Sequence, residues 1–251
     1  MGYEDRVVAF IDILGFKNSL DKSNSDIKEF DRILTTLNDL KDFFIKPKDK
    51  YDLEADKNLG ADTHVIQISD SLIISRLIQE KGGLFHMFFD CRLAIHSLIS
   101  NGFLCRGAIK YGKMYHKDTT IFGQAYLDAY SAEGKEKLPI IKFDKDLFEI
   151  VKYFPGPANK GHEKWEINYL KQNCKKLGSD EYYLDYFTDY DNLVGGGPGT
   201  ASIHYSKLRD IIVDGLNDPE LSMNPNAYNK LRWAADQFNL TAKQFELDFI
   251  K

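Results

Sequence analysis

Val7-Val8-Ala9-Phe10-Ile11-Asp12-Ile13-Leu14-Gly15-Phe16 is an apolar, β-branched run that carries one acid near its end and a glycine three residues beyond it. The run is long enough for one buried strand. A carboxylate inside such a run needs a cation, a hydrogen-bond donor or water beside it, because burying it alone is expensive. The plainer alternative is an aspartate that caps the following turn.

Working outward, a polar linker through Ser25 leads to Asp26 and Glu29, spaced as a capping box. Phe30, Ile33, Leu34, Leu37, Leu40 and Phe44 then recur at helical spacing. The charged stretch from Lys46 to Asp62 lacks periodicity and reads as a surface loop. Thr63–Ile68 and Leu72–Leu77 are β-rich runs around Ser69-Asp70-Ser71, which reads as a hairpin with an acid at its tip. Leu84–Ser100 predicts a second helix, ended by Asn101-Gly102. Phe103–Tyr115 predicts a long strand, Phe122–Lys137 a helix and Pro139–Phe143 a short strand. The first six elements follow the β-α-β-β-α-β order of a ferredoxin-like unit. The fold class is α+β, with the strands at Val7 and Phe103 central and Asp12 and Asp70 at neighbouring strand ends.

From Asp144 the pattern changes, so residues 1–143 are expected to form the core and 144–251 a mostly helical C-terminal extension packed on the core or on a second subunit. Asp144–Tyr153 reads as helical, Pro155–Gly161 as a loop and Tyr182–Phe187 as an added strand. Gly195-Gly196-Gly197-Pro198-Gly199 lacks the Lys-Ser/Thr and the preceding strand of a phosphate loop and is expected to be a plain loop. Ser206–Leu216 and the segment opened by Asn224-Pro225 read as helices, the latter turning Leu231, Ala234, Ala235 and Phe238 inward.

The 251 residues suffice for a full core. A net charge of −5 speaks against a nucleic-acid partner, since there is no basic excess to neutralise phosphates. Cys91, Cys105 and Cys174 are odd in number and make no C-x-x-C pair, which fits a reducing cytoplasm. Asp5 and Arg6 interrupt any signal-peptide pattern, and Asp90 and Arg92 break the longest apolar run, so neither secretion nor a membrane span is expected.

Two aspartates brought to one strand edge repel unless a cation lies between them. Carboxylates with few other ligands, a backbone carbonyl and solvent suit Mg²⁺ or Mn²⁺. Phe10-Ile11-Asp12-Ile13-Leu14-Gly15-Phe16 resembles the F-x-D-I-x-G-F signature of class III nucleotidyl cyclases. Ser69-Asp70 is similar to their second metal-binding acid, and Arg106-Gly107-Ala108-Ile109-Lys110-Tyr111-Gly112 to their R-x-G-I-x-x-G strand. Phe122-Gly123-Gln124-Ala125-Tyr126-Leu127 resembles the glycine that opens their last catalytic helix. These matches lie in order over residues 7–142.

The resemblance implies a class III cyclase core in which Asp12, the Ile13 carbonyl and Asp70 hold two Mn²⁺ or Mg²⁺ ions. It also implies that the backbone of Leu14, Gly15 and Phe16, with the Arg106 side chain, receives the triphosphate. Ile66 and Thr120 stand where purine cyclases carry the lysine and aspartate that read the base. Leu127 and Ser131 stand where the family's transition-state asparagine and arginine would fall, unless a slip of one or two residues brings Gln124, Asp128 or Glu133 into place.

This combination resembles the pyrimidine cyclases of bacterial Pycsar antiphage systems, which implies a homodimer with composite sites that turns UTP or CTP into cyclic UMP or cyclic CMP as a second messenger. A purine cyclase and a non-catalytic nucleotide-binding module of the same fold are the alternatives. Tyr51, Tyr111 and Tyr126 are candidates for stacking on the base, though core or surface placement is the plainer reading of each.

Overall fold

The computed structural model describes residues 2–45, 62–188, 197–243 and 246–251. Most of the charged stretch after Lys46, the candidate Tyr51, and Gly195-Gly196 lie outside the described residues. The chain runs β1 (Glu4–Ile13), α1 (Phe16–Ser23), α2 (Ile27–Ile45), β2 (His64–Ile68), β3 (Ser71–Leu77), α3 (Gly83–Ser100) and β4 (Cys105–Lys117). It continues through β5 (Thr120–Gly123), α4 (Gln124–Lys135), β6 (Ile141–Asp144), α5 (Leu147–Tyr153), α6 (Glu163–Gln172), β7 (Cys174–Lys176) and β8 (Glu181–Leu184). Three helices close the chain: α7 (Gly197–Asn217), α8 (Pro219–Ser222) and α9 (Pro225–Ala242).

The sheet order is β2-β3-β1-β4-β6-β8-β7, with β5 paired to β4 alone. The first four strands in this path are antiparallel and have the ferredoxin-like arrangement. The sheet is mixed because β6 joins β4 in parallel. β1 is flanked on both sides over most of its length, which suits the unbroken apolar run Val7–Ile11.

Alternation along β1 divides the core. Val7, Ala9, Ile11 and Ile13 join the large cluster built with Met87, Cys91, Ala94, Ile95 and Leu98 of α3. Val8 and Phe10 join a small cluster with Ile66, Ile73 and Met114, covered by Ala125 and Ala129 of α4. Each fully buried aliphatic side chain contributes about 1.5–3 kcal/mol, so the thickly covered face carries most of the stability. The lightly covered face also presents Asp12, and it leaves Ile68, Phe122, Leu127 and Tyr130 exposed.

The C-terminal segment builds on this sheet. β8 and β7 extend it beyond β6, α7 packs on α3, and the large core cluster runs without a break into Leu208, Ile212, Ala234 and Phe238. Residue 143 falls inside β6.

Some local readings differ from the sequence expectation. Phe122 and Gly123, expected to open a helix, instead end a strand over Thr120–Gly123: Asp118 takes a left-handed conformation (φ 52°), and the β-branched and aromatic residues after it fold back on β4. Asp26 accepts from the Lys28 amide as a cap does, but Glu29 is drawn to Arg32 at 2.5 Å, so no capping box forms. The glycine-proline stretch is not a loop throughout, because the helix α7 already begins at Gly197. Phe16–Ser23, expected as part of a polar linker, forms the helix α1, and α6, α8 and β7 have no counterpart in the sequence expectation.

Gly107 lets β1 and β4 approach: a Cβ there would lie 2.5 Å from the Phe10 carbonyl oxygen. Gly107→Ala is therefore expected to destabilise the protein by about 3 kcal/mol through forced strand separation. Urea denaturation checks this, and a midpoint within experimental scatter of wild type would contradict it.

Candidate active site

Register brings three polar residues to one level of the lightly covered face. Asp12 on β1 stands opposite Arg106 on β4 and opposite Ser71 on β3. Directly opposed residues in an antiparallel pair point to the same side. The Ile13 amide donates to the Asp70 carbonyl oxygen at 3.0 Å, which ties the hairpin turn to the end of β1. Ser69 supports that turn in a left-handed conformation (φ 53°). The expected meeting of Asp12, Asp70 and Arg106 is thus present in the fold.

Beyond Ile13 the chain turns sharply. Gly15 adopts φ +78° and ψ 3°, a conformation that favours glycine, and α1 starts at the next residue. Phe16 is buried and anchors the helix, and no side chain caps its first amides. The Leu14 amide donates to the Leu104 carbonyl oxygen at 2.9 Å. That amide is already committed, so the anion-facing backbone begins at Gly15 and Phe16.

Arg106 is the electrostatic hub. Its Nη2 lies 3.4 Å from Asp12 Oδ2, and its Nε lies 2.5 Å from Glu133 Oε1. The second contact is an ion pair whose alignment falls short of a hydrogen bond. Nη1 donates to the Glu136 carbonyl oxygen at 3.3 Å. The Glu133 side chain is only 6 % exposed, and its placement on α4 is a feature that strand pattern could not supply. The only sequence signal for it was an acid two residues beyond the position aligned with a missing family arginine.

The carboxyls respond to this crowding. Burial, then Glu133, then Asp70 push the Asp12 pKa up to about 6 against the pull of Arg106. Burial also raises Glu133, again opposed by Arg106. Among the described residues no three His, Cys, Asp or Glu side chains form a ready-made metal cage. The donor set still fits a hard divalent cation. Asp12 is held above its ordinary range by burial and then by two other acids, a state that an added positive charge relieves, and Mg²⁺ or Mn²⁺ takes one or two carboxylates and fills its remaining positions with water or phosphate oxygen.

Leu14 and Gly15 open onto a cleft of about 790 Å³ between α1 and the last helices, large enough for a nucleotide, though Asp12, Asp70 and Arg106 are not among the residues that line it. Of the stacking candidates, Tyr126 packs on Phe10 at 6.1 Å between ring centroids and Tyr111 is exposed. Leu127 and Ser131 lie on the exposed side of α4. Ile66 is buried in the small core cluster, and Thr120 is exposed on β5. Cys91, Cys105 and Cys174 are buried and unpaired, and no described helix is long and apolar enough to cross a membrane.

No protein-family model and no curated relative matches the chain. Among solved structures it is similar to the guanylyl cyclase domain of the RhoGC fusion protein from the aquatic fungus Blastocladiella emersonii, at 16% identity and a TM-score of 0.43 over 73% of this chain and 96% of that one. It is likewise similar to the guanylate cyclase domain of RhGC from Catenaria anguillulae in complex with GTP (14% identity, TM-score 0.44, 74% and 98% covered). The adenylyl cyclase CyaB from P. aeruginosa gives 14% identity and a TM-score of 0.42, with 73% and 94% covered. At such distances a functional reading has to stand on the geometry of the site.

Proposed function

We propose that this chain is a nucleotide cyclase that converts UTP or CTP to the 3′,5′-cyclic nucleotide and pyrophosphate. The observation that carries this reading is the convergence of Asp12, the Asp70 turn and Arg106 at one strand end, beside the Gly15 turn and a nucleotide-sized cleft. In the reaction the ribose 3′-oxygen forms a bond to the α-phosphorus, the bond from that phosphorus to the bridging oxygen breaks, pyrophosphate leaves, and the hydroxyl proton passes to solvent.

Asp12, the Ile13 carbonyl and Asp70 would hold two Mn²⁺ or Mg²⁺ ions, which when bound supply Lewis-acid activation of the hydroxyl and charge neutralisation at the phosphates. Arg106 contributes a fork of donors: while Nε stays with Glu133, the terminal nitrogens can turn to phosphate oxygens as the chain's own anion clamp. The Gly15 and Phe16 amides stand at a helix start, where partial positive charge favours phosphate.

The pyrimidine assignment is supported by Ile66 and Thr120, which offer no charged side chain for a purine edge. By resemblance, the product would act as a second messenger in antiphage defence. The exposed apolar residues Ile68, Phe122, Leu127 and Tyr130 favour a second copy of the chain over this face, completing a composite site. Leu127 and Ser131, neither of them an Asn or Arg, favour the second reading, a binding module without turnover.

Incubation with each of the four nucleoside triphosphates and Mn²⁺, with products identified by mass spectrometry, separates these readings. Cyclic UMP or cyclic CMP is expected as the main product, from a protein that runs as a dimer in light scattering. Cyclic AMP or cyclic GMP as the main product would establish the purine alternative, and Mn²⁺-dependent binding without product would establish the module.

A further inference from the structure

We propose that Lys230, on the last helix of the C-terminal extension, is a triphosphate-contacting residue of the same site. The inference rests on the nucleotide-cyclase reading and extends it to a part of the chain that no motif covers. Lys230 lines the cleft that Leu14 and Gly15 also line. Asn224 caps α9 through the Asn226 and Ala227 amides, and Leu231, Ala234, Ala235 and Phe238 bury the helix's inner face, so the residue's position is fixed by packing.

The cations of the cleft differ in their partners. Lys22 is paired with Asp218 at 3.6 Å and Arg32 with Glu29 at 2.5 Å, and all four of these residues line the cleft. Lys207 and Lys230 make no ion pair within 4.0 Å among the described residues; Lys207 is exposed, whereas Lys230 is partly buried. Asp12, Arg106, Glu133 and Glu136, which do not line the cleft, are close enough to act on its charge. Burial and Arg106 both lower its pKa.

A half-buried ammonium with no carboxylate partner is an unfavourable arrangement unless an anion completes it. Asp12 and Glu133 already share Arg106, and the Gly15 turn supplies amides on the same cleft. An anion bound at the Gly15 turn would share the cleft with Lys230. The β- and γ-phosphates of the substrate are the part of a nucleotide with the charge and reach to do so. Lysine serves this role as a compact point charge.

The test uses the full chain with Mn²⁺ and whichever triphosphate it turns over. Lys230→Met keeps the aliphatic stem and removes the charge. It is expected to raise KM for the triphosphate and the inhibition constant of pyrophosphate about tenfold each, with melting temperature and inhibition by the cyclic product little changed. Lys230→Arg is expected to restore most of both. A purely structural lysine would move stability and leave the pyrophosphate constant alone. Unchanged pyrophosphate inhibition, or a rise in activity in Lys230→Met, would overturn the proposal. If wild type forms no cyclic nucleotide at all, the cyclase reading fails, and calorimetric titration of Mn²⁺-pyrophosphate into wild type and Lys230→Met still decides the role of Lys230: equal affinities reject it.

Discussion

Asp12→Asn is expected to abolish cyclic nucleotide formation, by at least about a thousandfold, while making the metal-free protein more stable. The activity arm follows from the charge placement: a neutral amide replaces a carboxylate that stands between Arg106 and Asp70, and preorganised charge is usually the largest single contribution to such chemistry. The stability arm follows from linkage. Asp12 titrates at about 6 in the fold, raised from 3.8 chiefly by burial and then by Glu133 and Asp70. A raised carboxyl pKa means that the folded state holds the proton more tightly than the unfolded chain. The stability it contributes is present below about pH 4 and is lost as pH rises through about 6. At pH 8 the ionised group therefore weakens the metal-free fold, by on the order of 1–2 kcal/mol after allowance for its partial solvent screening.

Removing the charge should flatten stability between pH 4 and 7 and raise the melting temperature at pH 8 by about 2–6 °C for a chain of this size. Mn²⁺ should raise the melting temperature of wild type, since it binds the folded state alone, and have little effect on the Asn variant. Scanning calorimetry at three pH values, with and without Mn²⁺, reads all of this. An equal Mn²⁺ shift in both proteins would show that Asp12 does not hold the cation, and persisting product would remove it from the chemistry.

The contrast between Asp12 and Lys230 shows what a sequence makes legible. The site's strand half was readable because its rules are local. A β-branched run fixes β1, Ser-Asp-Ser between two such runs fixes a hairpin, and period-two alternation sends Asp12 to the face opposite Ile11 and Ile13. The ferredoxin-like order then forces Asp12, Asp70 and Arg106 together once the elements are right. β5 is hard to read because Thr120–Gly123 is short and directly abuts a helix, so Phe122 and Gly123 pass for that helix's first turn. The aromatic run Tyr182–Phe187 announces β8, but β7 takes its meaning only from pairing with β8, which no local pattern announces. Glu133 and Lys230 were beyond reach for a related reason. Each sits on a helix with several other charged residues, and which of those turns toward a sheet end is decided by tertiary packing. The Leu14 amide illustrates the reverse error: the motif offers three successive amides, but the strand geometry commits one of them to Leu104.

Arg106→Ala is the second large effect expected, and a double substitution separates its two roles. Alone it should lower kcat/KM by about 10²–10³, because the clamp facing the phosphates and the counter-charge of Asp12 go together. It should also destabilise the fold by about 3–5 kcal/mol, since Glu133 would be left almost fully buried without its cation. Asp12 should titrate still higher than about 6, as the chief neighbour pulling it down would be gone. Arg106→Lys should recover less than a tenth of the activity, because one ammonium cannot face Asp12, Glu133 and the Glu136 carbonyl together. In Arg106→Ala/Glu133→Gln the stranded carboxylate is neutralised, and most of the lost stability should return while activity stays low. Thermal melts and product formation measured on the same four proteins give the comparison. If activity returned with stability in the double variant, Arg106 would be no more than the counter-ion of Glu133, and its part in holding phosphate would fall. If activity stayed low while the fold recovered, the guanidinium would be required for something beyond balancing Glu133, as its position between Asp12 and the α4 acid implies.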